Sequence, residues 1–185
     1  MPCGVHVRWV CVSSAAAVVE VVSRALLSLG SNQNAGHYFE AALQALQSRF
    51  GAVTVSAAYV FPAVGFDGPD FLNAGVALDT NMDVYRLNDW LHALEDAHQR
   101  DRSGPRFGNR TLDIDIVYFG EAVVSGPGHL QIPRPDIKHA FVLKPLAEIA
   151  PDFIDPVREL PLAEMWRAHP DYTRTFETRA VPGFL

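Results

Sequence analysis

The residues best suited to chemistry form one short run in the second half of the chain: Arg110-Thr111-Leu112-Asp113-Ile114-Asp115-Ile116. Successive side chains of a strand point to opposite faces, so the three apolar residues are expected in the core and the two aspartates on the other face. Their Cα atoms would lie about 6.5 Å apart. Carboxylates this close repel each other, and a divalent cation such as Mg²⁺, with room for water and phosphate ligands, removes the conflict. The alternative is a solvated strand face balanced by arginines.

An arginine-rich loop precedes this run. Four of the fifteen basic residues lie within it, namely Arg100, Arg102, Arg106 and Arg110. Guanidinium groups bind phosphate oxygens in a bidentate manner, which favours a phosphate-bearing ligand. Phe107, in the same loop, would cover an adenine or simply pack. A surface loop with scattered charge is the alternative, and the chain has no Walker-type motif, which excludes a P-loop enzyme.

A second group of residues suits a flat heterocycle. Two aromatic faces, Phe71 and Phe141, are able to enclose such a ring, and the amide of Asn73 offers its edge both a donor and an acceptor. Each phenylalanine is equally compatible with a place in the core.

The composition limits the class of protein. The chain has 185 residues, 49% of them hydrophobic and 19% charged, and a net charge of -6. These values predict a folded domain with its own core and argue against nucleic acid as a partner. Residues 9–22 are apolar but too short and interrupted to span a membrane. Both cysteines, Cys3 and Cys11, precede the body of the domain, which fits a reducing compartment. We therefore expect a cytoplasmic monomer that contacts no membrane.

The element order predicts the fold class. Strands are expected at residues 25–29, 52–61, 71–78 and 112–119, helices at 36–50 and 84–98, and further elements near 129–132, 137–149 and 160–168. This is the pattern of an α+β ferredoxin-like sandwich, an antiparallel sheet with helices on one face and the other face available for ligands. Ser31 or Asn32 is predicted to cap the first helix. Residues 1–24 are interpreted as a non-essential extension of a single domain spanning 25–185.

The chain resembles the 6-hydroxymethyl-7,8-dihydropterin pyrophosphokinase family. The matching segments occur in family order between residues 25 and 156, and the arginine loop with its R-T-L-D-I-D run is the most diagnostic. The segments are Leu27-Ser28-Leu29-Gly30-Ser31-Asn32, Pro69-Asp70-Phe71-Leu72-Asn73-Ala74, Leu94-Glu95, Arg110-Thr111-Leu112-Asp113-Ile114-Asp115 and Ala140-Phe141-Val142-Leu143-Lys144-Pro145-Leu146.

The resemblance implies a ferredoxin-like transferase that uses ATP and Mg²⁺. Asp113 and Asp115 would hold two Mg²⁺ ions on the ATP phosphates, and Arg100 and Arg110 would act on those phosphates during transfer. Further nucleotide-site positions are Glu95, Arg102, Phe107 and Ile116. Pterin-site positions are Phe71, Phe141, Asn73 and the main chain of Val64.

The chain departs from the family pattern at several places. Phe61 stands where a threonine is usual, Arg134 where histidine often follows proline, and His139 where an arginine often precedes the Ala–Phe pair. We therefore consider that Arg134 supplies the missing phosphate contact, or that it is a surface residue of a turn. These changes also keep open a catalytically weakened homologue that binds nucleotide or pterin, and a ferredoxin-like interaction module without a small ligand.

Overall fold

The computed structural model describes residues 22–100 and 108–181, and the sheet is its central feature. The strands are β1 (Ser23–Ser31), β2 (Val53–Val55), β3 (Ala58–Phe61), β4 (Phe71–Thr80), β5 (Asp113–Phe119), β6 (Val124–Ser125), β7 (Gln131–Ile132) and β8 (Thr178–Arg179). The helices are α1 (Ala35–Phe50), α2 (Val84–Ala97), α3 (Ala140–Ile149) and α4 (Leu162–Arg167), with short 3₁₀ turns at Pro127–His129 and Pro135–Lys138.

The main sheet is antiparallel, in the order β5-β1-β4-β3-β8, with β2 paired to β4. Strand β1 lies between β4 and β5, so that Gly30 is opposite Asn73 on one side and Asp113 on the other. This arrangement confirms the predicted ferredoxin-like α+β class. In the described part of the chain, no helix has the length and apolar character needed to cross a membrane.

One face of the sheet packs on α1 and α2. Leu27 and Leu29 of β1 and Ile114 and Ile116 of β5 are buried there. The same cluster includes Phe39, Ala42, Leu43 and Leu46 from α1 and Val84, Leu87 and Leu91 from α2. The apolar alternation that predicted the strands therefore gives the larger core.

The opposite face is not fully open, which makes the expectation of helices on one face wrong. Leu26, Ala77 and Val117 are buried there beneath Leu143 and Leu146 of α3. Helix α3 lies so close to β4 that a Cβ atom at Gly75 would come within 2.9 Å of Leu146 Cδ2. The rest of this face carries polar residues. The covered half therefore contributes to folding and the uncovered half provides the site.

Two boundaries differ from the predictions. Strand β1 begins at Ser23, inside the segment interpreted as an extension; residues 1–21 lie outside the described part. Helix α1 follows Asn34, whose backbone is left-handed and whose side chain makes no capping bond. Ser31 and Asn32 do not cap it, because their side chains bind main-chain groups near Arg110 instead.

The segment after α3 is fixed to the sheet by one buried carboxylate. Asp155 is 0% exposed and accepts hydrogen bonds from the Tyr118 hydroxyl at 2.7 Å and from the main-chain N–H groups of Val157 and Arg158. Arg158 Nη1 also donates to it, at 2.9 Å. Burial alone raises the pKa of Asp155, but these hydrogen bonds outweigh burial and hold it below its ordinary value.

The Asp155→Asn substitution should destabilise the protein in a pH-dependent way. A carboxyl group with a lowered folded-state pKa stabilises the fold above its ordinary pKa, and this stability is lost as pH falls through the folded pKa. We expect a loss of about 1.5–3 kcal/mol at pH 7, shrinking towards pH 3 because the wild-type protein loses the same contribution. Urea unfolding at both pH values measures it. Asp152→Asn, on an exposed neighbour, is the control, and an equal or pH-independent loss would contradict the account.

Candidate active site

A cavity of about 210 Å³ opens over the uncovered half of the sheet. Its floor consists of Ser28 and Gly30 of β1, Asn73 of β4, and Asp113 and Asp115 of β5. These residues come together because they alternate with the buried apolar residues of three adjacent strands. The walls are formed by Phe61, Pro62, Val64, Phe66, Phe71, Gly108, Arg110, Arg134, Asp136, His139, Phe141 and Val142.

The acidic pair is confirmed as outward-facing, but neither carboxylate is unpaired. Arg100 Nη1 lies 3.0 Å from Asp113 Oδ1, and Arg110 also pairs with Asp113. Arg134 Nη2 lies 3.0 Å from Asp115 Oδ1, and Arg134 Nε donates to Asp136 at 3.1 Å. The arginines and carboxylates therefore form one network at the end of the cavity.

The electrostatics of this network fit a divalent cation. Burial, and after it the neighbouring Asp113 carboxylate, raise the pKa of Asp115 to about 7, although Arg134 opposes the shift. Arg134 offsets only part of this effect, and a bound metal ion would favour the ionised carboxylate further. Among the residues that the structure describes, no group of three or more His, Cys, Asp or Glu side chains is placed to hold a metal. Two carboxylates suit Mg²⁺ nevertheless, since this ion usually binds one or two carboxylates together with water and substrate phosphates.

Gly30 keeps the floor of the cavity open. A Cβ atom at this position would lie 3.3 Å from Asn73 Oδ1, 3.8 Å from Phe71 Cδ1 and 3.9 Å from Asp113 Cβ. It would occupy the space that separates the amide and the aromatic ring from the acidic pair. The absence of a side chain therefore makes the two halves of the cavity one continuous site.

Asn32 ties the two sides of the site together. Its Nδ2 group donates to the carbonyl of Pro69 at 3.1 Å and to Asn109 Oδ1 at 2.9 Å, and its Oδ1 accepts from the main-chain N–H of Arg110 at 2.7 Å. Pro69 lies in the loop before β4, and Arg110 pairs with the acidic strand. One buried amide therefore positions both the loop beside Phe71 and the backbone of Arg110.

The aromatic walls come from different elements. Phe71 begins β4 and meets Phe66 edge to face at 6.3 Å. Phe141, in the first turn of α3, stacks on His139 with ring centroids 5.0 Å apart and 8° between the planes. Burial lowers the pKa of His139, which favours a neutral imidazole in this stack. Both predicted aromatic residues therefore border the cavity.

Two predicted nucleotide-site residues, Glu95 and Ile116, do not line the cavity. Glu95 is buried in α2, where Oε1 accepts from the main-chain N–H of Ile114 at 2.7 Å and supports the acidic strand from behind. The Ile116 side chain is 2% exposed and belongs to the core, which leaves only its main chain for a ligand. Arg100 reaches the site through Asp113. Arg102 and Phe107 lie outside the described residues.

Other cavity residues were not assigned by sequence reasoning. Ser28 and Gly30 could have been found from strand alternation, because Leu27 and Leu29 are buried on the opposite face. Phe66 and Asp136 carry no such signal, since they lie in a loop and in a 3₁₀ turn. Phe61 and His139 stand out in the sequence only as departures from a family pattern.

The fold and the site together define an α+β enzyme whose cavity combines acidic, arginine and aromatic groups for a small ligand. The family described as 7,8-dihydro-6-hydroxymethylpterin-pyrophosphokinase matches residues 26–151. The chain belongs to this family, which confirms the resemblance.

Two sequence relatives share one name. A 2-amino-4-hydroxy-6-hydroxymethyldihydropteridine pyrophosphokinase of Pseudomonas aeruginosa is 40% identical over 137 residues, covering 71% of this chain and 83% of the relative. The Haemophilus influenzae protein of that name is 36% identical over 137 residues, covering 71% and 84%.

A solved structure of Plasmodium falciparum HPPK-DHPS, wild type, superposes with a TM-score of 0.62 at 13% identity. It covers 80% of this chain, while this chain spans only 44% of that longer one. At this identity the likeness concerns the fold alone.

Proposed function

We propose that this protein transfers the pyrophosphoryl group of ATP to the hydroxymethyl oxygen of 6-hydroxymethyl-7,8-dihydropterin, a step of folate biosynthesis, and releases AMP. The observation that carries the proposal is the single cavity that joins an acidic–arginine network to an aromatic and amide end. One end suits a metal-bound triphosphate and the other a flat heterocycle with polar edges. Family membership supports the same substrates.

The ATP end uses the charged network. Asp113 and Asp115 would hold two Mg²⁺ ions, which neutralise charge on the phosphates. Arg100, Arg110 and Arg134 now pair with carboxylates, and we propose that the phosphate oxygens replace those carboxylates as their partners. The nucleotide-site assignments of Glu95, Arg102, Phe107 and Ile116 are carried from the family resemblance; Glu95 would act by holding the acidic strand.

The pterin end uses stacking and an amide. Phe71 and Phe141 would enclose the ring, and Asn73 would bind its edge through both the donor and the acceptor of its side chain. The main chain of Val64, in the exposed loop before β4, would close one side.

The reaction needs little covalent work from the protein. The hydroxymethyl oxygen forms a bond to the β-phosphorus and gives up its proton to solvent, the bond from that phosphorus to the bridging oxygen breaks, and AMP leaves with that oxygen. Catalysis then consists of aligning the two substrates and offsetting the charge on the transferred group.

We further propose that the protein works as a cytoplasmic monomer. Size-exclusion chromatography would test the oligomeric state.

The decisive experiment incubates the full chain with ATP, Mg²⁺ and the pterin alcohol and measures AMP by chromatography. We expect AMP and the pterin diphosphate in equal amounts, and neither without the pterin. The weakened homologue, not favoured by the intact acidic pair and Arg110, would bind a ligand without releasing AMP. An interaction module would bind neither ligand.

Replacing Arg134 by Ala should weaken ATP binding selectively. The loss of a charged hydrogen bond costs about 1.5–3 kcal/mol, or roughly ten- to a hundred-fold in affinity, whereas pterin affinity should stay nearly unchanged. Calorimetry with a non-hydrolysable ATP analogue at low salt measures the effect. Lys138→Ala, on an exposed cation of the same 3₁₀ turn, is the control, and unchanged ATP binding in Arg134→Ala would assign Arg134 to the turn alone.

A further inference from the structure

The chain continues past the family match, which ends at residue 151, and returns to the site. Strand β8 pairs antiparallel with β3, placing Arg179 opposite Ala58 and Thr178 opposite Tyr59. The Val60 N–H also donates to the carbonyl of Glu177 at 2.9 Å. This C-terminal segment, residues 170–181, therefore covers the edge strand that forms one side of the cavity.

Phe176 is the contact between this segment and the cavity wall. Its ring centroid lies 4.8 Å from that of Phe61, with 43° between the planes, and 6.2 Å from that of Trp166 in α4. Phe61 in turn meets Phe141 at 6.1 Å and 69°. Phe176, which precedes β8, therefore contacts Phe61 of β3, and Phe61 contacts Phe141 of α3 at the cavity.

Only two of these three rings line the cavity. Phe61 and Phe141 line the cavity, whereas Phe176 is not among its lining residues and contacts it only through Phe61 and its neighbours. Phe61 is only 6% exposed and packs in one cluster with Phe176, so the orientation of its ring depends on this neighbour. Ring pairs at centroid distances of about 4.5–7 Å favour particular tilts and edge-to-face geometries. The position of the Phe176 ring therefore constrains the orientation of the Phe61 ring. The Phe61 ring in turn constrains the orientation of the Phe141 ring, which it contacts.

We propose that the C-terminal segment is part of the substrate site and that Phe176 is a positioning residue, which sets Phe61 and through it Phe141 for stacking on the flat heterocycle of the substrate. The inference rests on the proposed function, because it takes Phe141 as the stacking partner of the pterin. It assigns to Phe61 the role of a third aromatic wall rather than that of a lost contact. It also explains why a bulky ring is accommodated there, since Phe176 supports it from behind.

The test compares Phe176→Ala and Phe176→Leu with Thr175→Ala, an exposed neighbour on the same segment. Binding of the fluorescent probe 6-hydroxymethylpterin, the KM for each substrate and kcat are measured on the full chain. We expect Phe176→Ala to raise the pterin Kd and KM about three- to ten-fold, the range that an aromatic pair supports. The KM for ATP and kcat should stay within about two-fold. Phe176→Leu should recover part of the loss, and Thr175→Ala should behave as wild type.

A double-mutant cycle separates positioning from general damage. In a Phe61→Leu background, Phe176→Ala should change pterin affinity less than about two-fold, because the ring it acts through is gone. The same fold loss in both backgrounds, equal losses for ATP and pterin, or wild-type pterin affinity in Phe176→Ala would each overturn the inference. If Phe176→Ala does not fold, Phe176→Leu carries the same comparison.

The outcomes also distinguish this inference from the proposed function. If the wild-type chain binds pterin and releases AMP, and the Phe176 variants behave like it, only this inference is refuted. A wild-type chain that releases no AMP refutes the proposed function and the inference with it.

Discussion

Replacing Asp115 by Asn is expected to reduce Mg²⁺-dependent AMP release by at least about a hundred-fold while leaving the fold intact. Removing one preorganised electrostatic group from an active site commonly costs about 10²–10³ in rate. Asp115 lies on the open face, and Arg134 would keep Asp136 as a partner at 3.1 Å. The variant also removes the repulsion between two adjacent carboxylates. Turnover and thermal unfolding, measured on the same preparation, test both expectations, and Asp113→Asn should show a comparable loss of turnover.

Asp136→Asn is the matched control for this prediction. Asp136 borders the same cavity and pairs with the same arginine, but it lies on a 3₁₀ turn rather than on the acidic strand. We expect it to lose less than ten-fold in turnover. Near-normal Mg²⁺-dependent activity of Asp115→Asn, or an equal loss in Asp136→Asn, would show that the acidic strand is not the metal site.

Replacing Asn32 by Ala should damage both stability and activity. Three side-chain hydrogen bonds disappear at a buried position, and at about 1 kcal/mol each the free energy of unfolding should fall by roughly 2–4 kcal/mol. Arg110 and the loop before Phe71 would lose their common tether, and displacements near 1 Å in a site can cost about a hundred-fold in rate. Urea unfolding and steady-state kinetics measure the two effects. A variant that loses stability but keeps its kcat/KM would make Asn32 purely structural.

Asn32→Asp should weaken one side of the tether more than the other. An aspartate still accepts from the Arg110 N–H but has no N–H to donate to Pro69 or Asn109. We therefore expect pterin affinity to fall more than ATP affinity in this variant, whereas Asn32→Ala should weaken both. Equal losses for the two ligands in Asn32→Asp would contradict the division of the site.

The sequence predicted the charged strand well, because period-two alternation alone places Asp113 and Asp115 opposite three buried residues. It could not show that Arg100, Arg110 and Arg134 would reach those carboxylates, since such contacts depend on how a loop and a 3₁₀ turn approach the sheet. The burial of the second sheet face beneath α3 also differs from the prediction. The strongly apolar run 140–149 fits any buried helix, and only Gly75 on the facing strand marks where that helix packs.

The end of the chain was the least predictable part. Thr178 and Arg179 are exposed and polar on both faces, so strand β8 has no apolar alternation and forms only by pairing with β3. Ser31 and Asn32 both suit a helix cap by residue type and position. The role of Asn32 is determined instead by its tertiary contacts to Pro69 and Arg110.

The pairing of β1 on both of its edges has a consequence for motion. This strand pairs along its length with β4 and through most of it with β5, and its apolar side is buried under two helices. Its amide protons should therefore exchange with solvent only when much of the domain opens. The loop at residues 62–69 is mostly exposed. The floor of the site is thus a fixed template, and substrate-dependent protection in hydrogen exchange should appear in the loop that borders it.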